Sequence, residues 1–225
     1  MNTIAHPEAI LFDLDGTLVD TAADFVLVLN HQRAMHHYAP LPAQIIRDTV
    51  SDGARALTSL AFGGEPGQPD FDAKRLELLE LYAKQVGDHS ALFDGMNEVL
   101  QHFEALNIPW GIVTNKPKRF TDILLDKLAL SNRSAITLCP DDVVNAKPDP
   151  ESLFLACSRL QCQPHKTVYV GDHERDILAG KAANMKTIAA GYGYILDKKK
   201  ISAWQADFEI DHPSEIISLF IGDNT

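Results

Sequence analysis

The 225-residue chain is 45% hydrophobic and 23% charged, near the globular average, which excludes a disordered, collagen-like or disulfide-scaffold protein. At about 150 residues per domain it holds one large domain, or a main domain with a smaller insert. Its 20 basic residues face 31 acidic ones, a net charge of −11, so neither a nucleic-acid backbone nor an anionic membrane is expected as partner. Cys139, Cys157 and Cys162 lack C-x-x-C spacing, no signal-peptide pattern opens the chain, and no apolar stretch approaches the roughly 20 residues of a spanning helix. A reduced, cytoplasmic setting is expected.

In chain order, the first predicted strand is the apolar run 9–12. The next hundred residues break the rhythm: helices are expected over 21–38, once or twice within 42–61, and over 70–87, where Phe71, Leu78, Leu79, Tyr82 and Val86 form an amphipathic pattern. A glycine- and proline-rich loop occupies 63–69. The crossover from the first strand is then too long for a simple βαβ unit, and residues 18–88 read as an inserted helical cap. Residues 1–17 and 89–225 make up a discontinuous core. Beyond the insert, helix and strand alternate: helix 96–106 with Asp94 as its expected N-cap, strand 110–114, helix 119–128, strand 135–139, helix 151–160, strand 167–170, helix 175–183, strands 187–190 and 208–210, and a last helix 214–220. Most of these strands are apolar on successive residues, as in a parallel sheet covered on both faces. The predicted class is α/β. Gly191-Tyr192-Gly193-Tyr194 lacks the third glycine and the helix of a dinucleotide fingerprint and is placed at the rim. Lys198-Lys199-Lys200 reads as a solvated turn, and His31, His36 and His37 lack metal-ligand spacing.

Four clusters follow strands, at the edge where ligands bind in open α/β sheets. Asp13-Leu14-Asp15-Gly16-Thr17 places two carboxylates two residues apart. Anions that close need a cation or a proton between them, although an Asp/Gly turn is the plainer reading of this run alone. Gly171-Asp172-His173-Glu174-Arg175-Asp176 repeats strand, glycine and carboxylate. Glu174 suits helix capping, Asp172 suits a metal ligand, and His173 either shapes the site or is structural. Thr114-Asn115-Lys116 offers a hydroxyl and an amide to an anion, or merely starts a turn. Lys147 precedes Pro148, which disfavours a helical backbone at the lysine; the alternative is an exposed loop lysine. Together the four supply what is needed to hold Mg²⁺ and a phosphoryl group at one rim.

This set resembles the haloacid dehalogenase superfamily. The likeness runs through D-x-D-G-T-L-V-D-T at 13–21, T-N-K at 114–116, K-P at 147–148 and G-D-x-x-x-D at 171–176. The fuller strings look like its phosphoglycolate phosphatase-type enzymes, and especially like the related branch acting on N-acetylmuramic acid 6-phosphate. The resemblance implies a Rossmann-like core with a helical cap. It implies a Mg²⁺-dependent phosphomonoester hydrolase for a small phosphorylated metabolite, working through an aspartyl-phosphate. A phosphomutase or phosphotransferase of the same fold is the alternative. Asp13 would then be the nucleophile and Asp15 the general acid and base. Mg²⁺ would be held by Asp13, the Asp15 carbonyl and Asp172. Thr114, Asn115 and Lys147 would bind the phosphoryl oxygens, with Asp176 orienting Lys147 or a metal-bound water. Arg55, in Ser51-Asp52-Gly53-Ala54-Arg55, is the cap candidate for a substrate carboxylate, against a solvated helix residue. The partner is a small phosphate monoester, and the protein a monomer or homodimer. One departure is Asn184, where similar proteins usually carry glycine; asparagine tolerates the left-handed position after a helix.

Overall fold

The computed structural model describes residues 4, 6–195 and 198–220. Strand β1 (Ala9–Phe12) is the centre of the molecule. A short strand β2 (Val19–Asp20) follows, then four helices of the insert: α1 (Ala22–Met35), α2 (Ala43–Arg47), α3 (Gly53–Phe62) and α4 (Pro69–Ala83). Strand β3 (Ala91–Leu92) closes the insert, and α5 (Met96–Ala105), β4 (Trp110–Val113), α6 (Lys118–Lys127), β5 (Ile136–Leu138) and α7 (Glu151–Leu160) lead away from it. The chain ends through β6 (Thr167–Gly171), α8 (Glu174–Ala182), β7 (Lys186–Ala190), α9 (Ile201–Trp204), β8 (Phe208–Ile210) and α10 (Glu215–Phe220).

Six strands form one sheet in the order β5-β4-β1-β6-β7-β8, and every pairing is parallel. From β1 the chain goes to β4 and β5 on one side, then returns to β6, β7 and β8 on the other. The carboxyl ends of β1, β4 and β6 therefore flank the point where strand order reverses, where such sheets bind ligands. Alternate side chains of each strand enter different layers. Ile10 and Phe12 pack with Ile112, Val168 and Val170 in one apolar cluster, whereas Leu11, Val113 and Tyr169 belong to the other. The first cluster continues into the insert through Leu57, Leu78 and Tyr82, so insert and core share buried apolar surface.

Helix α5 illustrates why these segments are helical. Met96, Val99, Leu100 and Phe103 recur at helical spacing and are all fully buried. It is not capped by Asp94, contrary to expectation: Gly95, at φ +78°, is the N-cap, and no side chain caps it. The Asp94 carboxylate lies 3.7 Å from His212. The region 42–61 resolves into α2 and α3 because a 3₁₀ turn at Val50–Asp52 and Gly53, at φ +84°, break the helix. Asn184 takes φ +59° just after α8, the left-handed conformation expected of it. Among the described residues no helix is long and apolar enough to cross a membrane, and all three cysteines carry free thiols.

Both linkers of the insert are tied to one another. β2 and β3 pair antiparallel, with Val19 opposite Leu92 and Asp20 opposite Ala91. Asp24, fully buried at the start of α1, accepts hydrogen bonds from the Gly87 and His89 amides at 2.8 Å and from the Ser90 hydroxyl at 2.5 Å. Asp24→Ala leaves the buried Ser90 hydroxyl and the less buried Gly87 and His89 amides without their acceptor and is expected to lower the unfolding free energy by about 2 kcal/mol, read from the midpoint of a urea titration; a loss below 1 kcal/mol contradicts this account.

Candidate active site

Asp13 follows β1, and its amide donates to the Val170 carbonyl of β6 at 2.9 Å. The chain then turns at Gly16, φ +82°. Asp172 follows β6, and Asp176 lies in the first turn of α8, so both carboxylates return to Asp13. One ligand oxygen from each of Asp13, Asp172 and Asp176 lies within 4.8 Å of the other two, and all three side chains are buried.

Lys147 enters this cluster from the loop after β5. Its ammonium donates to Asp13 Oδ1 at 2.8 Å, Asp176 Oδ1 at 2.7 Å, the Val113 carbonyl at 2.9 Å and the Tyr169 hydroxyl at 2.6 Å. Burial disfavours its charge, but Asp13 and Asp176 outweigh that and hold it above the usual lysine range. One ammonium against three carboxylates leaves two negative charges without a counter-charge. Burial, Asp13 and Asp176 accordingly push the Asp172 carboxyl up to about 8, against hydrogen bonds from the Tyr194 amide and the Ser51 hydroxyl. A hard divalent cation fits this donor set: it takes carboxylate oxygens and carries the missing charge.

Asp15 stands apart from that triad. Its carboxylate accepts from Thr21 Oγ1 at 2.6 Å and from Lys116 Nζ at 2.9 and 3.2 Å. Asn115 grips the Lys147 backbone at both ends, with Nδ2 donating to the carbonyl at 2.9 Å and Oδ1 accepting from the amide at 3.2 Å. Thr114 Oγ1 accepts from the Lys116 amide at 3.1 Å. Thr114, Asn115 and Lys147 all line a cavity of about 570 Å³ with Asp13, Asp15 and Asp176.

The roof of that cavity comes from the insert. The 3₁₀ turn before α3 lowers Ser51 to donate to Asp172 Oδ2 at 2.8 Å, and Asp52 lies 3.2 Å from His173. Arg55 lines the cavity, is exposed and has no ion pair among the described residues. Phe25, Leu79 and Tyr82 supply apolar wall. His173 is the N-cap of α8, its ring accepting from the Arg175 amide at 3.1 Å.

Lys116 and Gly193 were not singled out by sequence reasoning. Lys116 stood inside the T-N-K string without a role of its own. Gly193 sits so close to the site that a Cβ there would meet Asp172 Cβ at 2.3 Å and the Gly16 carbonyl at 2.5 Å. Its signal was the glycine in Gly191-Tyr192-Gly193-Tyr194, a segment that backs Asp172 rather than lining the cavity: the Tyr194 amide donates to Asp172 Oδ2 at 2.9 Å.

Known proteins resemble this chain along nearly all its length. A family profile of haloacid dehalogenase-like hydrolases matches residues 10–190. The chain belongs to that family. It is 45% identical to the N-acetylmuramic acid 6-phosphate phosphatase of Pseudomonas putida, over 92% of this chain and 93% of that protein. It is 37% identical to the phosphoglycolate phosphatase of Xanthomonas campestris, over 93% and 95% respectively. A haloacid dehalogenase-like hydrolase from Streptococcus pneumoniae shares the fold at a TM-score of 0.80 and 17% identity, covering 96% of this chain and 98% of its own. The chain is an enzyme of the phosphatase class.

Gly193→Ala is expected to displace Asp172 and destabilise the protein by about 1–3 kcal/mol, measured by urea unfolding, with phosphatase kcat/KM falling alongside. Wild-type values for both would show that the backbone accommodates a methyl group there.

Proposed function

We propose that the chain hydrolyses a sugar 6-phosphate carrying a carboxylate, of the N-acetylmuramic acid 6-phosphate type, through an aspartyl-phosphate on Asp13. The observation that carries the reaction is the placement of Asp13. It lies at the sheet's reversal point, opens onto the cavity, and keeps one oxygen on Lys147. The other oxygen would form the bond to phosphorus as the bond to the leaving oxygen breaks. Asp15, two residues on at the same cavity wall, would give its proton to that leaving oxygen, then take one from the water that cleaves the acyl phosphate.

Asp13, Asp172 and the Asp15 carbonyl would hold Mg²⁺, with Asp176 beside them. When bound, the ion supplies positive charge that the phosphoryl oxygens and the carboxylates share. Lys147 and the Thr114 hydroxyl would face the transferring group, whose charge spreads over its equatorial oxygens. Asn115, occupied at both ends by the Lys147 backbone, fits the role of fixing that lysine better than direct phosphate binding. The insert would act as the cap that excludes water and selects the rest of the substrate.

Two features favour the larger substrate over phosphoglycolate. The cavity of about 570 Å³ falls within the roughly 300–1,000 Å³ typical of sites for drug-sized ligands, and part of its wall is aromatic, from Phe25, Tyr82 and Phe120. The relative at 45% identity is an N-acetylmuramic acid 6-phosphate phosphatase. An exposed cation at the cavity suits the lactyl carboxylate of such a sugar.

Phosphate release should require Mg²⁺, stop in EDTA, and vanish in Asp13→Asn while circular dichroism stays native; Mg²⁺-dependent turnover by that variant rejects the nucleophile. Among phosphoglycolate, N-acetylmuramic acid 6-phosphate, N-acetylglucosamine 6-phosphate and nucleotides, the muramic acid ester should give the highest kcat/KM. Arg55→Ala should lower it by about tenfold or more, as loss of a charged hydrogen bond worth about 1.5–3 kcal/mol implies, and should leave N-acetylglucosamine 6-phosphate little changed. Equal losses on both sugars remove Arg55 from carboxylate recognition. Transfer of the phosphoryl group to a second sugar hydroxyl in place of release would make the enzyme a mutase.

A further inference from the structure

One buried charge at the cavity has no part in the chemistry above. Lys116 is 7% exposed and lies between an aromatic wall and a carboxylate. Its Nζ sits 5.3 Å from the ring centroid of Phe25 and 4.8 Å from that of Tyr82. It donates to both oxygens of Asp15 and lies 2.7 Å from the Tyr82 hydroxyl. Burial works against its charge, but Asp15 and Tyr82 more than offset this and raise its affinity for the proton. The two rings are themselves stacked, with centroids 4.2 Å apart and planes 12° apart. The backbone holds the lysine from both sides, through its amide on Thr114 Oγ1 and its carbonyl accepting from Thr121 Oγ1 at 3.3 Å.

A lysine in such a place does more than fill space. Burying an ammonium among aromatic rings is expensive unless an anion pairs with it, and here the anion is Asp15, at the end of a short loop. Among the described residues, the Asp15 side chain has one other hydrogen-bond partner besides Lys116, the Thr21 hydroxyl. Lys116 spans both carboxylate oxygens, so it fixes the rotation of the carboxylate as well as its place. Tyr82 comes from α4 of the insert, whereas Lys116 comes from the core after β4. Lys116 thus links Asp15 in the core to Tyr82 in the insert.

We propose that Lys116 is a positioning residue for Asp15: with Tyr82 it aims the carboxyl group that serves the leaving oxygen. This rests on the reading of Asp15 as acid and base. Each turnover starts with the Asp15 carboxyl protonated and passes through the carboxylate that pairs with Lys116: in the first step the Asp13–phosphorus bond forms, the phosphorus–leaving-oxygen bond breaks, and the leaving oxygen takes the Asp15 proton. In the second, water loses its proton to Asp15 and its oxygen displaces Asp13 from phosphorus. A poorly aimed Asp15 hurts the first step most when the leaving alkoxide is strongly basic. It matters little for a phenolate that departs without a proton.

The test is a comparison of leaving groups. Lys116→Met keeps the aliphatic stem and removes the charge; Tyr82→Phe removes one hydroxyl; Asp15→Ala sets the reference. Single-turnover phosphorylation is followed with a hexosamine 6-phosphate and with p-nitrophenyl phosphate. Lys116→Met should slow the sugar ester by about a hundredfold, the usual scale of general acid catalysis, and leave the nitrophenyl ester nearly unchanged. Tyr82→Phe should give a smaller loss with the same selectivity, and Lys116→Arg should recover part of the rate. Losses equal on both esters, in Lys116→Met or in Tyr82→Phe should the first fail to fold, overturn the proposal and leave a structural role. If Asp15→Ala itself shows no preference between the esters, the acid role of Asp15 falls instead.

Discussion

Three buried carboxylates facing one ammonium are the constraint on which the rest of this molecule depends. Asp13, Asp172 and Asp176 come from two strand ends and a helix turn, and Lys147 arrives from a loop after a third strand. Packing them together out of water is unfavourable: burial first, then Asp13 and Asp176, raise the Asp172 carboxyl. The fold holds them there because each is fixed by something other than attraction to its neighbours. Asp13 is anchored by its amide on β6, Asp172 by the Tyr194 amide and Ser51, and Lys147 by the two-ended grip of Asn115 on its backbone. A divalent cation at this cluster would relieve the repulsion and leave positive charge to share with the phosphoryl oxygens of the proposed substrate. The net charge of −11 therefore says little about the ligand, because the local balance is set by these few groups.

The close approach also dictates where side chains are forbidden. Around Asp172 the backbone comes from two directions, at Gly16 and at Gly193, and a Cβ on either would lie within 2.3 Å of an Asp172 side-chain atom. These glycines let two loops close on one carboxylate. A site assembled from several strand ends needs such positions because the sheet spaces its strands about 4.8 Å apart, and only loops can bring the ligands nearer.

The strands were legible because they are buried on both faces: β1, β4 and β6 are fully buried along their length, and an unbroken apolar run is the direct imprint of that. The strand-end clusters were legible for the same reason, since each begins where an apolar run stops. The β2–β3 ribbon was not, because two residues per strand carry no periodicity. The cap of α5 was misplaced at Asp94, because Gly95 with a left-handed backbone makes a side-chain cap unnecessary. Lys116 was visible as a letter but not as a partner. Its role depends on Tyr82, 34 positions earlier in the insert, and on Asp15, 101 positions earlier in the core. Contacts made across two units leave no mark in local spacing.

Those same contacts show how an insert with little chemistry of its own would act on a core that, on the proposed function, holds nearly all of it. The insert touches the reactive groups at separate points: Ser51 on Asp172, Asp52 on His173, and Tyr82 beside Lys116. Each contact reaches a group that positions or charges another, and none requires the insert to supply a nucleophile or a metal ligand. The double linker, paired as β2 and β3 and cinched by Asp24, keeps the insert's base in register with the core. A rigid base with polar contacts at the far rim is the arrangement in which substrate selection and assembly of the site become one event. On the proposed function, a ligand that fits under Ser51, Arg55 and Tyr82 would also favour the position of the insert in which Ser51 meets Asp172 and Tyr82 meets Lys116.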